Sequence, residues 1–533
     1  MILQTDGAIE LRRQTMQVEL DSTRSGAERN RLGQFATPPG LAQDIVRCLA
    51  ALLPGDAFPV LLADPSVGSG SFFSAALSVF GQENIAGATG IEIDNAFCQA
   101  AHKLWAPAGL TIVCGDFTRI ISGPDCPAAP NVILANPPYV RHHHIDRQEK
   151  QRLQSLIFQR LNVRVSGLAG LYVYFLLLAA SWMQDGGYAA WLVPSEFMDV
   201  NYGMALKNFL AHSLKLLRVH RFDPRDSQFD DAMVSSAVLI FKKIPPAAGH
   251  SVIFTLGGSL ERPALTQTIS QSSLLNSEKW TAYPQPPGNK RIAHGGSAVT
   301  TLGDLFKITR GIATGGNKFF VLERREAHKR GIPDQFLRPI LPSPRQLQSA
   351  VVEAQDDGYP RLSRQWCLLN CNVSEALIES RYPALWAYLS SAESIEIKQG
   401  YLVGKRTPWY AQERRDAAPF LCTYMGRGND EKRPFRFIWN QSQAIATNLY
   451  LMLYPRHCMA ALLRQRPELA AVVFKILGDI TGHELRSRGR VYGDGLYKIE
   501  PKELGRISGD VFIQQWPELA AGVEQQASLS LLF

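Results

Sequence analysis

Between residues 60 and 241 the chain alternates short apolar runs with helix-like segments, and no other feature constrains its fold as strongly. The runs are Val60–Ala63, Ala88–Ile93, Thr111–Cys114, Asn131–Ala135, Gly187–Val193, Leu214–Phe222 and Ser235–Phe241. Several are continuous and rich in Val, Ile and Leu, as strands buried on both faces of a parallel sheet are. Helix candidates near 39–52, 70–80, 95–104, 148–161, 168–184 and 203–212 lie between them. Such alternation predicts a doubly wound α/β domain that takes its ligands at the carboxyl ends of the strands. The last two runs have no helix between them, which predicts an antiparallel hairpin at one edge. The uncharged stretch Leu168–Met183 has 16 residues, short of the ~20 that span a membrane, and reads as a buried helix stopped by glycine.

Chemistry-bearing residues stand at successive strand ends. The first run leads into Asp64-Pro65-Ser66-Val67-Gly68-Ser69-Gly70-Ser71-Phe72, where Gly68 and Gly70 permit a tight turn and close backbone approach. GxxxxGK[ST] is absent, so phosphate cradling is not supported. The second run ends in Gly90-Ile91-Glu92-Ile93-Asp94, and an acid there can accept bonds from ribose hydroxyls. The third ends in Cys114-Gly115-Asp116-Phe117, a carboxylate for an adenine amino group beside a ring. Any one of these acids is as well explained as a helix cap or a solvated loop carboxylate. Three in order are not. The fourth run ends in Asn136-Pro137-Pro138-Tyr139. Its bland reading is an Asn-Pro turn. The two prolines remove backbone donors and leave the Asn136 side-chain oxygen and the Pro137 carbonyl as convergent acceptors.

With these motifs in this order, the sequence resembles the class I S-adenosylmethionine-dependent methyltransferases, and among them the gamma-type, TaqI-like adenine-N6 DNA methyltransferases. The resemblance covers residues 32 to about 243, and more loosely the C-terminal region. It implies a seven-stranded doubly wound sheet with an antiparallel edge hairpin, followed by a mixed α/β target-recognition domain. Gly33-Gln34-Phe35-Ala36-Thr37-Pro38-Pro39 looks like the family's first cofactor motif, with Thr37 capping the next helix toward the methionine carboxylate. Asp64, Gly68 and Gly70 match the family's DPACGSGxF, from which Ser66 and Val67 depart. Glu92 then corresponds to the ribose acid, Ile93 to an apolar contact with the cofactor adenine, and Asp116 to its amino-group acceptor, with Phe117 and Phe175 as walls. Asn136, Pro137 and Tyr139 take the catalytic positions, Tyr139 by stacking on a flipped base. An ungapped match puts Gly203 where the family has a second stacking ring, so Tyr202 fills that place only with a one-residue shift.

Charge divides the chain. Residues 1–289 are near neutral at −1, while 290–533 carry +9 of the total +8. Positive charge gathered in one region suits a polyanion, although solvated surface charge is common. The expected organisation is a leader (1–32), a catalytic domain (33–245), a Pro- and Gly-rich linker (246–300) and a DNA-recognition domain (301–533). Arg310, Asn317, Lys318, Lys405, Arg406, Trp409, Tyr410, Arg486, Arg488 and Arg490 are its candidate DNA contacts. His142-His143-His144 follows the transfer motif as a loop able to touch DNA. Eight Cys without regular spacing argue against a disulfide scaffold, and Cys367 with Cys371 lacks partners for a metal site. The expected partner is double-stranded DNA with no membrane association, in the cytoplasm, and any cleavage would fall to a separate cognate restriction endonuclease. Methylation of protein glutamine or RNA is the alternative, and it leaves the basic half unexplained.

Overall fold

The computed structural model of the chain describes residues 7–121, 123, 126–223, 228, 235–275, 277, 279–284, 300–427, 435–480, 482, 484–485, 490–492 and 496–523. They fall into two compact units, one built on Met1–Arg291 and the other on Ile292–Val491 and Gly495–Phe533.

In the first unit all seven runs form strands: β1 (Val60–Asp64), β2 (Ile85–Glu92), β3 (Leu110–Cys114), β4 (Val132–Ala135), β5 (Tyr188–Pro194), β6 (Lys215–Arg221) and β7 (Ser236–Lys242). Their order is β3-β2-β1-β4-β5-β7-β6, with β1 to β5 parallel and β7 antiparallel to both neighbours. The chain turns back at the β1/β4 boundary, so ligands are expected beyond the carboxyl ends of those two strands. Two further strands lengthen the sheet to nine: β8 (Ser251–Gly258), parallel to β6, and β9 (Pro263–Ser270), antiparallel to β8. Residues 251–270 are therefore sheet and not linker, and the β6/β7 hairpin lies inside the sheet instead of at its edge. The sequence of β9, PALTQTIS, is half polar, and the strand is largely exposed. That erased the apolar signal on which the strand assignments depended.

The unit's helices are α1 (Gly7–Ser22), α2 (Gly26–Leu32), α3 (Pro39–Ala50), α4 (Ser71–Phe80), α5 (Asn95–Trp105), α6 (Phe117–Ile120), α7 (Arg147–Leu161), α8 (Leu171–Trp182), α9 (Met204–Ser213) and the short α10 (Gln271–Leu275). They cover both faces of the sheet. Along β4 the side chains alternate, Ile133 and Ala135 entering one core with Leu153, Leu177 and Leu206, Val132 and Leu134 the other with Ile45, Phe73 and Trp105. Ten of the twelve residues of α8 are buried, as a helix apolar on every side requires. Cys98 of α5 and Cys114 of β3 are joined as a disulfide. The expected leader is also corrected: it folds into α1 and α2, and α2 is closed by a Ser25–Glu28 capping box and by Gly33 in the left-handed region.

The second unit is mixed α/β. A five-stranded sheet has the order β10 (Phe306–Arg310), β18 (Tyr450–Pro455), β15 (Phe420–Thr423), β17 (Phe437–Asn440), β13 (Val351–Val352). Two three-stranded sheets accompany it, β11 (Val321–Glu323), β14 (Trp366–Leu369), β12 (Leu337–Ile340) and β16 (Met425–Arg427), β20 (Leu496–Lys498), β19 (Arg490–Tyr492).

Candidate active site

The turn after β1 is set by Asp64, whose Oδ1 accepts from the Ser66 amide at 3.0 Å. Burial pushes the Asp64 carboxyl up to about 8, with the nearby charge of Glu92 adding to the rise. Gly68 lies in the left-handed region at φ 53°, and a Cβ there would project into open space. Its amide donates to Glu92 Oε2 at 2.9 Å, and the Asp94 amide donates to Oε1 at 2.8 Å. Burial raises the Glu92 carboxyl as well, opposed by these amides. Beside it Ile93 is 69% exposed, an apolar side chain with nothing packed on most of its surface. Gly70 is a packing glycine, since a Cβ there would stand 2.4 Å from the Trp105 indole nitrogen.

The transfer turn after β4 is built from both sides. Asn136 Nδ2 donates to the Phe35 carbonyl at 2.9 Å and to Thr37 Oγ1 at 3.1 Å. The Phe35 carbonyl, which can only accept, fixes which end of the amide points where. The two bonds leave Asn136 Oδ1 buried and without a hydrogen-bond partner. The Asn136 main-chain carbonyl accepts from Ser66 Oγ at 2.9 Å, so the motif departure at Ser66 ties the first strand-end loop to the fourth. Thr37 does not cap α3, because Pro38 occupies the N-cap position; its hydroxyl serves Asn136 instead. Tyr139 is held at both ends, its amide donating to Gly33 O at 3.0 Å and its hydroxyl to Leu192 O at 3.3 Å. A Cβ on Gly33 would stand 2.3 Å from the Tyr139 nitrogen, which is why glycine is needed there. The Tyr139 ring lies 5.5 Å from that of Phe35, and burial raises its phenol well above the ordinary range, keeping it a neutral donor.

The remaining candidates divide. Asp116 caps α6 through the Thr118 amide at 2.8 Å and faces Arg119 at 3.3 Å, so the bland reading of this acid holds alongside any other. Phe117 is buried against Phe175 at 5.0 Å and Trp182 at 5.9 Å, while Pro137 is buried in the transfer turn. Gly203 cannot carry a ring, because a Cβ would meet the Phe197 carbonyl at 2.0 Å. Neighbouring Tyr202 is partly buried against the core. His142–His144 forms a single 3-10 turn.

In the second unit two candidate stretches meet. Arg406 donates to the carbonyls of Thr314 and Ala313, each at 2.7 Å, and so fastens its own loop to the Thr314–Lys318 turn. Asn317, Lys318 and Lys405 are exposed. Arg310 is also exposed and lies 3.9 Å over the Tyr424 ring. Trp409 is half-buried against Phe319 and Phe320. Tyr410 is fully buried with its hydroxyl on the Val373 carbonyl, which removes it from the surface contacts. Arg486, Arg488 and the side chain of Arg490 lie outside the described residues. Arg13 donates to Ser69 Oγ in the loop after β1 at 2.7 Å and Arg24 pairs with Asp94 after β2, contacts that the sequence conceals because an Arg-rich polar stretch reads as solvated.

A 3-2-1-4-5-7-6 strand order, with a glycine turn, an acid and an Asn-Pro-Pro-Tyr turn at its carboxyl ends, is the class I methyltransferase fold. Residues 131–229 match the Eco57I restriction-modification methylase family, and residues 277–523 match the C-terminal domain of type II methyltransferase M.Eco57I. Type II methyltransferase M.XamI of Xanthomonas campestris pv. amaranthicola is 28% identical over 483 residues, 90% of this chain and 85% of that protein. Type II methyltransferase M.AccI of Acinetobacter calcoaceticus is 25% identical over 494 residues, with the same coverage. Over most of its length the chain is therefore similar to the methylases of restriction-modification systems. Among solved structures, the type IIG restriction endonuclease BpuSI aligns with 90% of this chain at a TM-score of 0.43 and 16% identity. The type IIL restriction-modification enzyme MmeI aligns with 80% at 0.49 and 12%. The chain spans 59% and 60% of the lengths of those two proteins.

Proposed function

We propose that the protein transfers a methyl group from S-adenosylmethionine to N6 of an adenine swung out of double-stranded DNA at a specific sequence, protecting that DNA from a cognate restriction endonuclease. The observation that carries the reading is the orphaned Asn136 Oδ1, a buried acceptor whose amide nitrogen is already committed to Phe35 and Thr37. A buried acceptor left without a donor costs about 1–3 kcal/mol, and a substrate N–H removes that cost.

The residues present fit the cofactor. Glu92 keeps unused lone pairs for ribose hydroxyls, Ile93 offers its exposed apolar side chain to the adenine, and the space beyond Gly68 admits a ligand close to the backbone. Asp64, Gly70 and Trp105 hold that loop, while Asp116, Phe117 and Phe175 line its far side in this reading. Thr37 keeps a hydroxyl proton to donate. When bound, S-adenosylmethionine supplies an electrophilic methyl group on a sulfonium.

The adenine amine is a poor nucleophile because its lone pair is delocalised into the ring. Asn136 Oδ1 accepts one N6–H and the Pro137 carbonyl the other, drawing the nitrogen toward a pyramidal geometry with its lone pair free. Tyr139 stacks on the displaced base, and Tyr202 closes its other side. Asn317, Lys318, Lys405 and Arg310 contact the DNA, chiefly its phosphates. The test is incubation with methyl-labelled S-adenosylmethionine and unmethylated duplex DNA, RNA or a release-factor protein, followed by nucleoside analysis. N6-methyladenine in the duplex is the expected product; label confined to RNA or protein would overturn the proposal.

A further inference from the structure

The helix α1 mixes charged residues with scattered apolar ones, and its one fully buried side chain is an arginine, Arg13, at 2% exposure. Burying a guanidinium is costly unless every donor is used. Arg13 Nε and Nη2 donate to Glu10, the closest contact at 2.6 Å, and Nη1 donates to Ser69 Oγ at 2.7 Å. Glu10 is held in turn by Ser74 Oγ at 2.5 Å and Gln14 Nε2 at 3.0 Å, and these partners with the Arg13 charge lower its carboxyl against the opposing effect of burial. Ser69 lies between Gly68, whose surroundings are open, and Gly70, which packs against Trp105. Its carbonyl accepts from the Trp105 indole at 2.8 Å, so the loop is gripped through one side chain and one main-chain atom.

The same N-terminal segment reaches the other two corners of the site. Arg24 pairs with Asp94 and donates to Gln34 Oε1 at 2.7 Å, and the Asp94 amide is one of the two donors that orient Glu92. Gly33, which ends α2, accepts from the Tyr139 amide. One continuous stretch of 27 residues, Gly7 to Gly33, therefore touches the glycine loop, the acid's strand end and the transfer turn.

We propose that α1 and α2 form a strap that sets the cofactor loop, with Arg13 and Arg24 as positioning residues that act through Ser69 and Asp94 without touching the cofactor. The inference rests on the S-adenosylmethionine reading. A glycine-flanked loop has several conformations available, and apparent affinity falls in proportion to the fraction that is binding-competent. The strap holds that fraction near one.

Ser69→Ala removes the loop contact while leaving the Arg13–Glu10 pair intact, which avoids the unfolding that an uncompensated buried charge invites. Calorimetric titration of the full-length protein with S-adenosylmethionine is expected to show a Kd raised about tenfold in Ser69→Ala and in Arg24→Gln. Duplex DNA affinity stays at the unmutated value in both variants, and the melting temperature of unliganded Arg24→Gln is unchanged. That of Ser69→Ala falls by a few degrees because Arg13 Nη1 loses its acceptor. Arg24→Lys recovers most of the Arg24→Gln loss. Unchanged cofactor Kd in both variants would overturn the strap. So would a loss of DNA affinity as large as the loss of cofactor affinity in both variants, or a fall in the melting temperature of Arg24→Gln matching that of Ser69→Ala, which mark a purely structural role. Failure of the unmutated protein to bind S-adenosylmethionine would instead overturn the cofactor reading itself.

Discussion

The two units treat polar side chains in opposite ways. In the first, the groups proposed to bear the chemistry are partly or fully buried and already bonded: Asn136 through its amide nitrogen, Glu92 through two amides, Tyr139 through both ends. In the second, the groups proposed to meet DNA are cations at the surface, Lys318 and Lys405 among them, Lys405 resting on the exposed Tyr401 hydroxyl at 2.6 Å, while Arg406 and Tyr410 are consumed in holding loops together. Catalysis requires atoms fixed to within a fraction of an ångström, so its residues are braced from behind. Phosphate contact requires only charge at the right distance, which an exposed lysine supplies on a flexible stem.

The contrast breaks most visibly at Asn136. Asn136→Ala is expected to lower kcat for DNA methylation about 10²- to 10³-fold, as loss of one preorganised charge-stabilising group does elsewhere. Its S-adenosylmethionine Kd should stay within about threefold of normal, a margin of less than one kcal/mol. Single-turnover assays and titration check the two halves, and a fall in cofactor affinity equal to the fall in rate would assign Asn136 to binding. The next largest effect concerns His220, a histidine with no exposed surface that bonds Thr255 Oγ1 at 2.9 Å and has its other ring nitrogen unpartnered. Burial, with help from Arg218 and Arg221, holds it down to about 4. Between that value and the ~6.5 of the unfolded chain, only the unfolded state takes up the proton. Stability is thus full above pH ~6.5 and is lost as the pH falls toward 4, by about 2–3 kcal/mol from this residue. Urea midpoints at pH 7 and 4.5 should differ less in His220→Gln than in the unmutated protein; identical pH dependence refutes the assignment.

Apolar strands and the residues that end them were legible because burial on both faces leaves an unmistakable run, and every one of the seven formed. Polar structure was not. The strand β9 hid because an exposed strand needs no apolar residues, and α1 hid because its single buried side chain is charged. The same logic separates Asn136, readable from the prolines that follow it, from its brace at Thr37, whose hydroxyl was assigned to the nearer helix. In the basic unit Lys405 and Tyr410 stand five residues apart in one candidate cluster, and only burial tells them apart.

That pair gives the two smallest effects and the finest division of the contrast. Lys318→Ala combined with Lys405→Ala removes two exposed cations, so the slope of log affinity for duplex DNA against log salt should become shallower by about 2, with melting temperature unchanged. Tyr410→Phe should do the reverse. It removes only the hydroxyl that reaches the Val373 carbonyl, so it costs about 1 kcal/mol of stability, and neither the salt slope nor DNA affinity at fixed salt moves. Thermal unfolding with salt-dependent DNA titration on both variants separates the outcomes. A salt slope altered in Tyr410→Phe would mean that the hydroxyl orders the surface the lysines occupy, and the line between bracing groups and contacting groups would then run through this loop instead of between the two units.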